Sequence, residues 1–262
     1  MGKILTVSIN KGGTGKTTIA AHLAFLAAER GAKTLLVDLD AQGNASDTVT
    51  QRRLDPVLIR MASDLFDDAD SERPIFHAAD RLDLLPSDDS LLSLEKYGLP
   101  EAQAFATRLR TVAVDYDLVV VDTPPTMGLG MLAPLLASQY VLSPIIPDAY
   151  SMKGVQALAE QVAIIRKSHN PSLIFLGVLV NKWRRNSTQQ NRTVEQLRRD
   201  FGRIVIPYEL PEAAAIADAA HHRRPVWREA RWGSQRVASA AVKSALTWVL
   251  DNTGTRFHQV AQ

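Results

Sequence analysis

Short, continuous apolar runs alternate along this chain with longer stretches of helical spacing. The clearest runs are DLVVVD at 117–122 and SLIFLGVLV at 172–180. They lack the every-second-residue polar positions of a half-exposed strand, which marks strands covered on both faces, as in a parallel sheet. Strands are predicted over Lys3–Ile9, Lys33–Asp38, Leu82–Leu85, Asp117–Asp122, Tyr140–Pro144, Leu173–Asn181 and Arg203–Ile206. Helices are predicted over Lys16–Arg30, Leu99–Val114, Ser151–His169, Thr188–Phe201, Pro211–Ala220 and Ser234–Leu250, with Gly31 and Gly202 placed where helix ends favour glycine. The alternation predicts an α/β fold: one doubly wound, mainly parallel sheet flanked by helices. Residues 43–80 follow neither period, and QRRLDPVLIRMASDLFDDADSERP reads as short helices at most. No internal repeat or low-complexity linker divides the chain, so residues 1–262 are expected to form one domain, with 254–262 a flexible tail.

Composition narrows the chemistry. There are no cysteines, which excludes disulfides, thiolate metal sites, iron–sulfur clusters and a cysteine nucleophile, and fits a reducing cytosol. No apolar run reaches the length of a membrane span and the first residues lead straight into a strand, so neither a signal peptide nor a membrane partner is expected. The net charge of +2 hides a gradient: residues 181–262 hold 14 Lys and Arg against 7 Asp and Glu. Such a segment is either a solvated basic surface or a face that meets phosphates.

The most specific motif is NKGGTGKTT at 10–18, between a predicted strand and a predicted helix. That context is the one a phosphate-binding loop requires. Gly12, Gly13, Thr14 and Gly15 let backbone N–H groups turn around an anion, and the helix N-terminus adds partial positive charge. Lys16 is placed for the β- and γ-phosphates of ATP, Thr17 for Mg²⁺, and Thr18 for the phosphate cradle. Asp122 ends an apolar strand, which points it at the carboxyl edge of the sheet and toward the same Mg²⁺. Asp38 ends its strand likewise and is a second candidate for the metal shell. Asn181 ends another strand; its amide both donates and accepts, which suits an adenine edge as well as an ordinary turn.

The loop has a second lysine, Lys11, and Asn10 where the general pattern has glycine. The string KGGTGKTT resembles the deviant Walker A loop of the ParA/MinD group of P-loop ATPases, which includes the ParA/Soj-type partition ATPases. LLVDLDAQGNAS at 35–46 is similar to that group's next segment, with Ala41 where proline is usual, and YDLVVVDTPPTMG at 116–128 is similar to its Walker B strand and switch. VLSPIIPDAYSMKGVQAL, GVLVNKW and IPYELPEAAAIADAAHHRRPV also match the group, so the resemblance runs from Lys3 to about Val226. It implies an Mg²⁺-dependent ATPase that forms a homodimer with ATP. Lys11 then crosses to the partner's nucleotide and Asp40 positions the attacking water. The strip Pro207, Tyr208 and Pro211 lies against the base.

Within the group, the missing cysteines exclude a cluster-bridging reductase, and NTGTRFHQVAQ lacks the lysine and bulky apolar stripe of a membrane anchor. The final helix reads as a core helix with Val237, Ala241, Leu246, Val249 and Leu250 on its apolar side. The basic residues instead suggest nonspecific double-stranded DNA. Arg223 and Arg224 are the leading contacts, with Arg184, Arg185, Arg198 and Arg199 behind them. Arg198 and Arg199 are helix neighbours that point apart, so one is expected to pair with an acidic residue. The loop starts at residue 10, so a preceding operator-reading domain is not expected. The expected protein is a cytoplasmic, nucleoid-associated ParA-like ATPase stimulated by a ParB-like partner. Its alternatives are a positioning ATPase for a protein cargo and a P-loop metabolite ligase or kinase.

Overall fold

The computed structural model describes residues 2–50, 54–67, 72–230 and 232–257. Eight strands form one sheet: β1 (Lys3–Val7), β2 (Thr34–Asp38), β3 (Phe76–Ala79), β4 (Leu82–Leu85), β5 (Leu118–Asp122), β6 (Tyr140–Ile145), β7 (Ile174–Trp183) and β8 (Val205–Pro211). Their order is β3-β4-β2-β5-β1-β6-β7-β8. Every adjacent pair is parallel except β3–β4. The helices are α1 (Lys16–Glu29), α2 (Asn44–Val49), α3 (Leu99–Val112), α4 (Leu129–Ala137), α5 (Ser151–Ser168), α6 (Thr188–Phe201), α7 (Ala214–His221), α8 (Val226–Glu229) and α9 (Gly233–Asp251). The expected mainly parallel α/β architecture is the one found. Among the described residues no helix is long and apolar enough to cross a membrane.

Alternate strand residues feed two core layers. Ile4, Leu35, Val37, Val119 and Val121 face α3, α4 and α5, while Leu5, Leu36, Leu118 and Val120 face α1 and α9. Each such residue gains roughly 1.5–3 kcal/mol from full burial, which is why β5 tolerates no polar position before Asp122. Helix α1 is apolar nearly all round and lies between the sheet and α9, with Ile19, Leu23, Leu26 and Ala27 all buried.

Three elements depart from the sequence reading. Strand β3 lies inside the illegible 43–80 stretch, whose other described structure is α2 and a single 3₁₀ turn at Ser63–Leu65; parts of that stretch lie outside the described residues. Helix α4 was not predicted because its glycines and Pro134 signal a loop. Gly130 is instead a packing position, where a Cβ would sit 2.9 Å from Pro124 Cγ. Helix α9 buries the expected Leu246, Val249 and Leu250, together with Ala238, Val242 and Ala245, but Val237 is 70% exposed and Ala241 only partly buried, so the expected face is wrong at those two positions. The start of the expected tail is docked: Thr255 is buried, and Arg30 stacks 3.8 Å over the Phe257 ring. The remainder of that tail lies outside the described residues.

Candidate functional site

Strand β1 leads directly into the glycine loop, and α1 begins at Lys16. Gly13 and Gly15 adopt φ +71° and +90°, the left-handed region that turns the loop back on itself. No side chain caps α1, so its first N–H groups face the loop's hollow. That hollow is a cleft of about 630 Å³ lined by Gly12 to Thr18, Asp40, Pro125, Asn181 and Pro211. Gln42 and Asn44, from LLVDLDAQGNAS, also line it, as do Ala213, Ala214, Ile216 and Ala217, from IPYELPEAAAIADAAHHRRPV; both segments match the group by sequence, but none of these six residues stands out individually.

Lys16 is buried, and its ammonium donates to Lys11 O at 3.0 Å. Burial lowers its pKa, opposed by the charges of Asp122 and Asp40. Asp38 and Asp122 are opposite each other in the β2–β5 register, both fully buried at the carboxyl ends of their strands. Asp38 is held by Ser46, whose N–H and hydroxyl both donate to it at 2.8 Å, and by the Asp40 N–H at 3.1 Å. Burial still raises its pKa to about 6. Asp122 is shifted well above the ordinary range by burial and by Asp38, with the Thr17 hydroxyl and Lys16 acting the other way. Neither of its oxygens has a hydrogen-bond partner of ordinary geometry among the described residues. A buried, unsatisfied carboxylate beside a threonine hydroxyl is an all-oxygen donor set suited to a hard cation such as Mg²⁺. Among the described residues no group of three or more His, Cys, Asp or Glu side chains gathers into a metal site.

Two predicted residues take positions the sequence did not foretell. Lys11 is not part of the cleft lining; its ammonium is ion-paired with Asp148 on the β6–α5 connection, and both side chains are partly exposed. Burial pushes Asp148 upward, but hydrogen bonds from Lys11 and the Tyr150 N–H leave its carboxyl below the usual value. Asn181 lines the cleft, yet its amide donates to Thr14 O at 2.7 Å, so that N–H group braces the loop. A Cβ on Gly15 would lie 2.3 Å from the same nitrogen.

Pro207 and Tyr208 do not reach the cleft: they lie mid-strand in β8, and Tyr208 packs on the α1–α9 core layer. Of the predicted base-side strip, only Pro211 lines the cleft. The arginines fall into two groups. Arg198 pairs with Glu209 of β8, as the expectation for one of the two neighbours required, while Arg199 donates to Gln196. Arg184 pairs with Glu212, and Arg185 is exposed. Arg223 and Arg224 instead line a hollow of about 610 Å³ with all four residues of β3. Arg184 and Arg198 thus pair with residues of β8 or directly after it, whereas Arg223 and Arg224 face the other edge strand, β3.

A family model described as "AAA domain" matches residues 2–175. Protein IncC of Escherichia coli is 34% identical over 248 residues, covering 91% of this chain and 68% of that protein. The chromosome-partitioning ATPase Soj of Thermus thermophilus is 32% identical over 217 residues, covering 82% and 83% respectively. An ATP complex of Cyanothece McdA superposes with a TM-score of 0.84 at 19% identity over 100% of this chain and 99% of that one, a likeness of fold. The chain belongs to the AAA-domain family of P-loop ATPases. Within it, the chain is of the ParA/MinD type, the partitioning ATPases.

Proposed function

We propose that this ATPase runs an association cycle. Two copies close over ATP, the closed form binds double-stranded DNA without sequence preference, and hydrolysis stimulated by a ParB-like partner releases both. The observation that supports this reading is Lys11: its side chain is outside the lining of its own cleft, partly exposed and paired with Asp148, while Gly12 next to it lines the cleft. Met127 and Tyr150, on the connections after β5 and β6, are 62% and 71% exposed, apolar surface that a closed dimer would cover.

In the proposed mechanism the loop N–H groups and Lys16 hold the triphosphate of ATP. Thr17 and Asp122 would hold Mg²⁺, which when bound neutralises phosphate charge. Asp38, tied to Ser46 and to the Asp40 N–H, fixes the Asp40 carboxylate at the cleft wall, where it orients the attacking water. Asn181 keeps the loop in register, and the adenine lies toward Pro211 and the start of α7. Lys11 of each copy reaches the other's phosphates.

Arg223 and Arg224 are the proposed phosphate contacts, with Arg185 and Arg199 on the second group less committed to carboxylates than Arg184 and Arg198. The DNA-bound form would be nucleoid-associated in the cytoplasm. The same cycle serves a protein assembly as cargo if the stimulating partner sits on one.

The deciding experiment is DNA retention with ATP, ADP or no nucleotide across a salt series. The expected result is retention that needs ATP, falls steeply with salt, and is lost in Arg223→Glu/Arg224→Glu while ATP binding persists. Equal retention without nucleotide, or a chain that stays monomeric with a nonhydrolysable ATP analogue and Mg²⁺, would overturn the reading.

A further inference from the structure

The basic segment after α7 is fastened to the phosphate-loop helix, and one buried side chain makes the central joint. His22 lies one turn into α1 beyond Thr18 and is 1% exposed. Its Nδ1 is 2.7 Å from Thr18 O, and the Val226 N–H donates to its Nε2 at 3.1 Å. An imidazole accepting at Nε2 is neutral and carries its proton on Nδ1, so one ring links a carbonyl in the first turn of α1, on a residue that lines the cleft, to the backbone of the Arg223–Arg228 segment. Trp227 packs edge-on against the ring with centroids 5.6 Å apart. Two further links run to the far end of the same helix: Trp227 Nε1 donates to Glu29 at 2.7 Å, and Arg228 pairs with the other oxygen of that carboxylate at 2.7 Å. At its front the segment is set by the end of α7, where Arg223 adopts φ +56° and the Arg224 N–H donates to Ala219 O at 3.1 Å.

We propose that His22 is the positioning residue that carries the nucleotide state of the phosphate loop to the basic segment, aligning Arg223 and Arg224 when ATP fills the cleft. This rests on the nucleotide-dependent DNA binding proposed above. The physical basis is that α1 is buried along most of its length between the sheet and α9, so a displacement of its first turn is passed to the side chains packed and bonded to it. The Glu29 contacts hold the segment to the back of the helix, whereas His22 joins it through Thr18 to the cleft lining at the front. It touches neither phosphate nor DNA, and acts through Thr18 on one side and Val226 on the other.

The test uses the full chain with a linear DNA duplex, measuring the ratio of retention with ATP and Mg²⁺ to retention with ADP. His22→Phe keeps an aromatic ring and removes both hydrogen bonds. His22→Gln keeps one donor and one acceptor. Val226→Pro removes the N–H that donates to the ring, replacing the buried valine with a side chain of similar size and leaving the imidazole in place. Proline is tolerated there because Val226 opens α8, and Pro225 before it has the extended backbone (φ −66°, ψ 141°) that a following proline requires.

The expected outcome is that His22→Phe and Val226→Pro each lower the ratio on the order of tenfold, within the usual span of coupling between sites. ATP affinity would stay within about twofold, a change of roughly 0.4 kcal/mol, and His22→Gln would recover most of the ratio. A wild-type ratio in Val226→Pro would overturn the proposal while leaving the proposed function standing. Parallel loss of ATP affinity in both variants would also overturn it, since His22 would then be part of the loop's scaffold and not a link. A wild-type protein with no ATP dependence would remove the function itself.

Discussion

Lowering the pH should weaken this protein through His22. Burial holds its pKa near 4 against an ordinary 6.5, with only the Thr18 carbonyl favouring the charged form. The folded state therefore binds fewer protons than the unfolded chain between those two values, so this group's contribution is complete above pH 6.5 and is lost as pH falls through that window. Between pH 7 and pH 5 the difference is about 2 kcal/mol, approaching ~3 kcal/mol below pH 4. The buried carboxyls Asp38 and Asp122 work in the opposite sense, since their raised values favour the folded state as they take up protons. They must therefore be subtracted. The assay is urea denaturation of the wild type and His22→Gln at both pH values. The glutamine variant, with nothing to titrate at this position, should lose about 2 kcal/mol less on going to pH 5, or roughly 5 °C in a thermal scan. Parallel pH profiles for the two proteins would refute a buried neutral imidazole joined to Thr18 and Val226.

Other outcomes follow from the cleft. Lys16→Ala should abolish ATP binding, checked by titration with a fluorescent ATP analogue; tight binding would remove this lysine from the site. Gly15→Ala places a Cβ 2.3 Å from Asn181 Nδ2 at φ +90°. Left-handed backbone alone costs roughly 1–2 kcal/mol at a non-glycine residue, so ATP affinity should fall by tenfold or more in the same titration. Asp40→Ala should still dimerise with ATP by size-exclusion chromatography yet release phosphate on the order of a hundredfold more slowly; normal turnover would exclude Asp40 from the reaction.

The central strands were legible because burial on both faces leaves a continuous apolar signature, and the phosphate loop because its function depends on neighbours in sequence. What escaped depends on distant partners. Strand β3 is a four-residue edge, FHAA, too short and too poor in β-branched residues to stand out. Asp38 needs Ser46, eight residues away, and Lys11 needs Asp148, 137 residues away, and no local pattern announces either. The arginine count was correct, but a count carries no direction, and folding places the arginines against opposite edges of the sheet. On α9 the reading of Leu246, Val249 and Leu250 as core holds, but Val237 is exposed and small alanines at 238 and 245 pack in its stead.

The engagement of Lys11 with Asp148 changes what encounter between two copies would involve. The lysine is not a dangling hook awaiting a catch; it already has a home within its own subunit. Reaching a neighbour would then be a trade of one anion for another, and exposed pairs of this kind are held by no more than about 1 kcal/mol. A triphosphate outbids a single carboxylate easily, whereas an empty cleft offers nothing to trade for, so resting subunits would ignore one another however crowded they become.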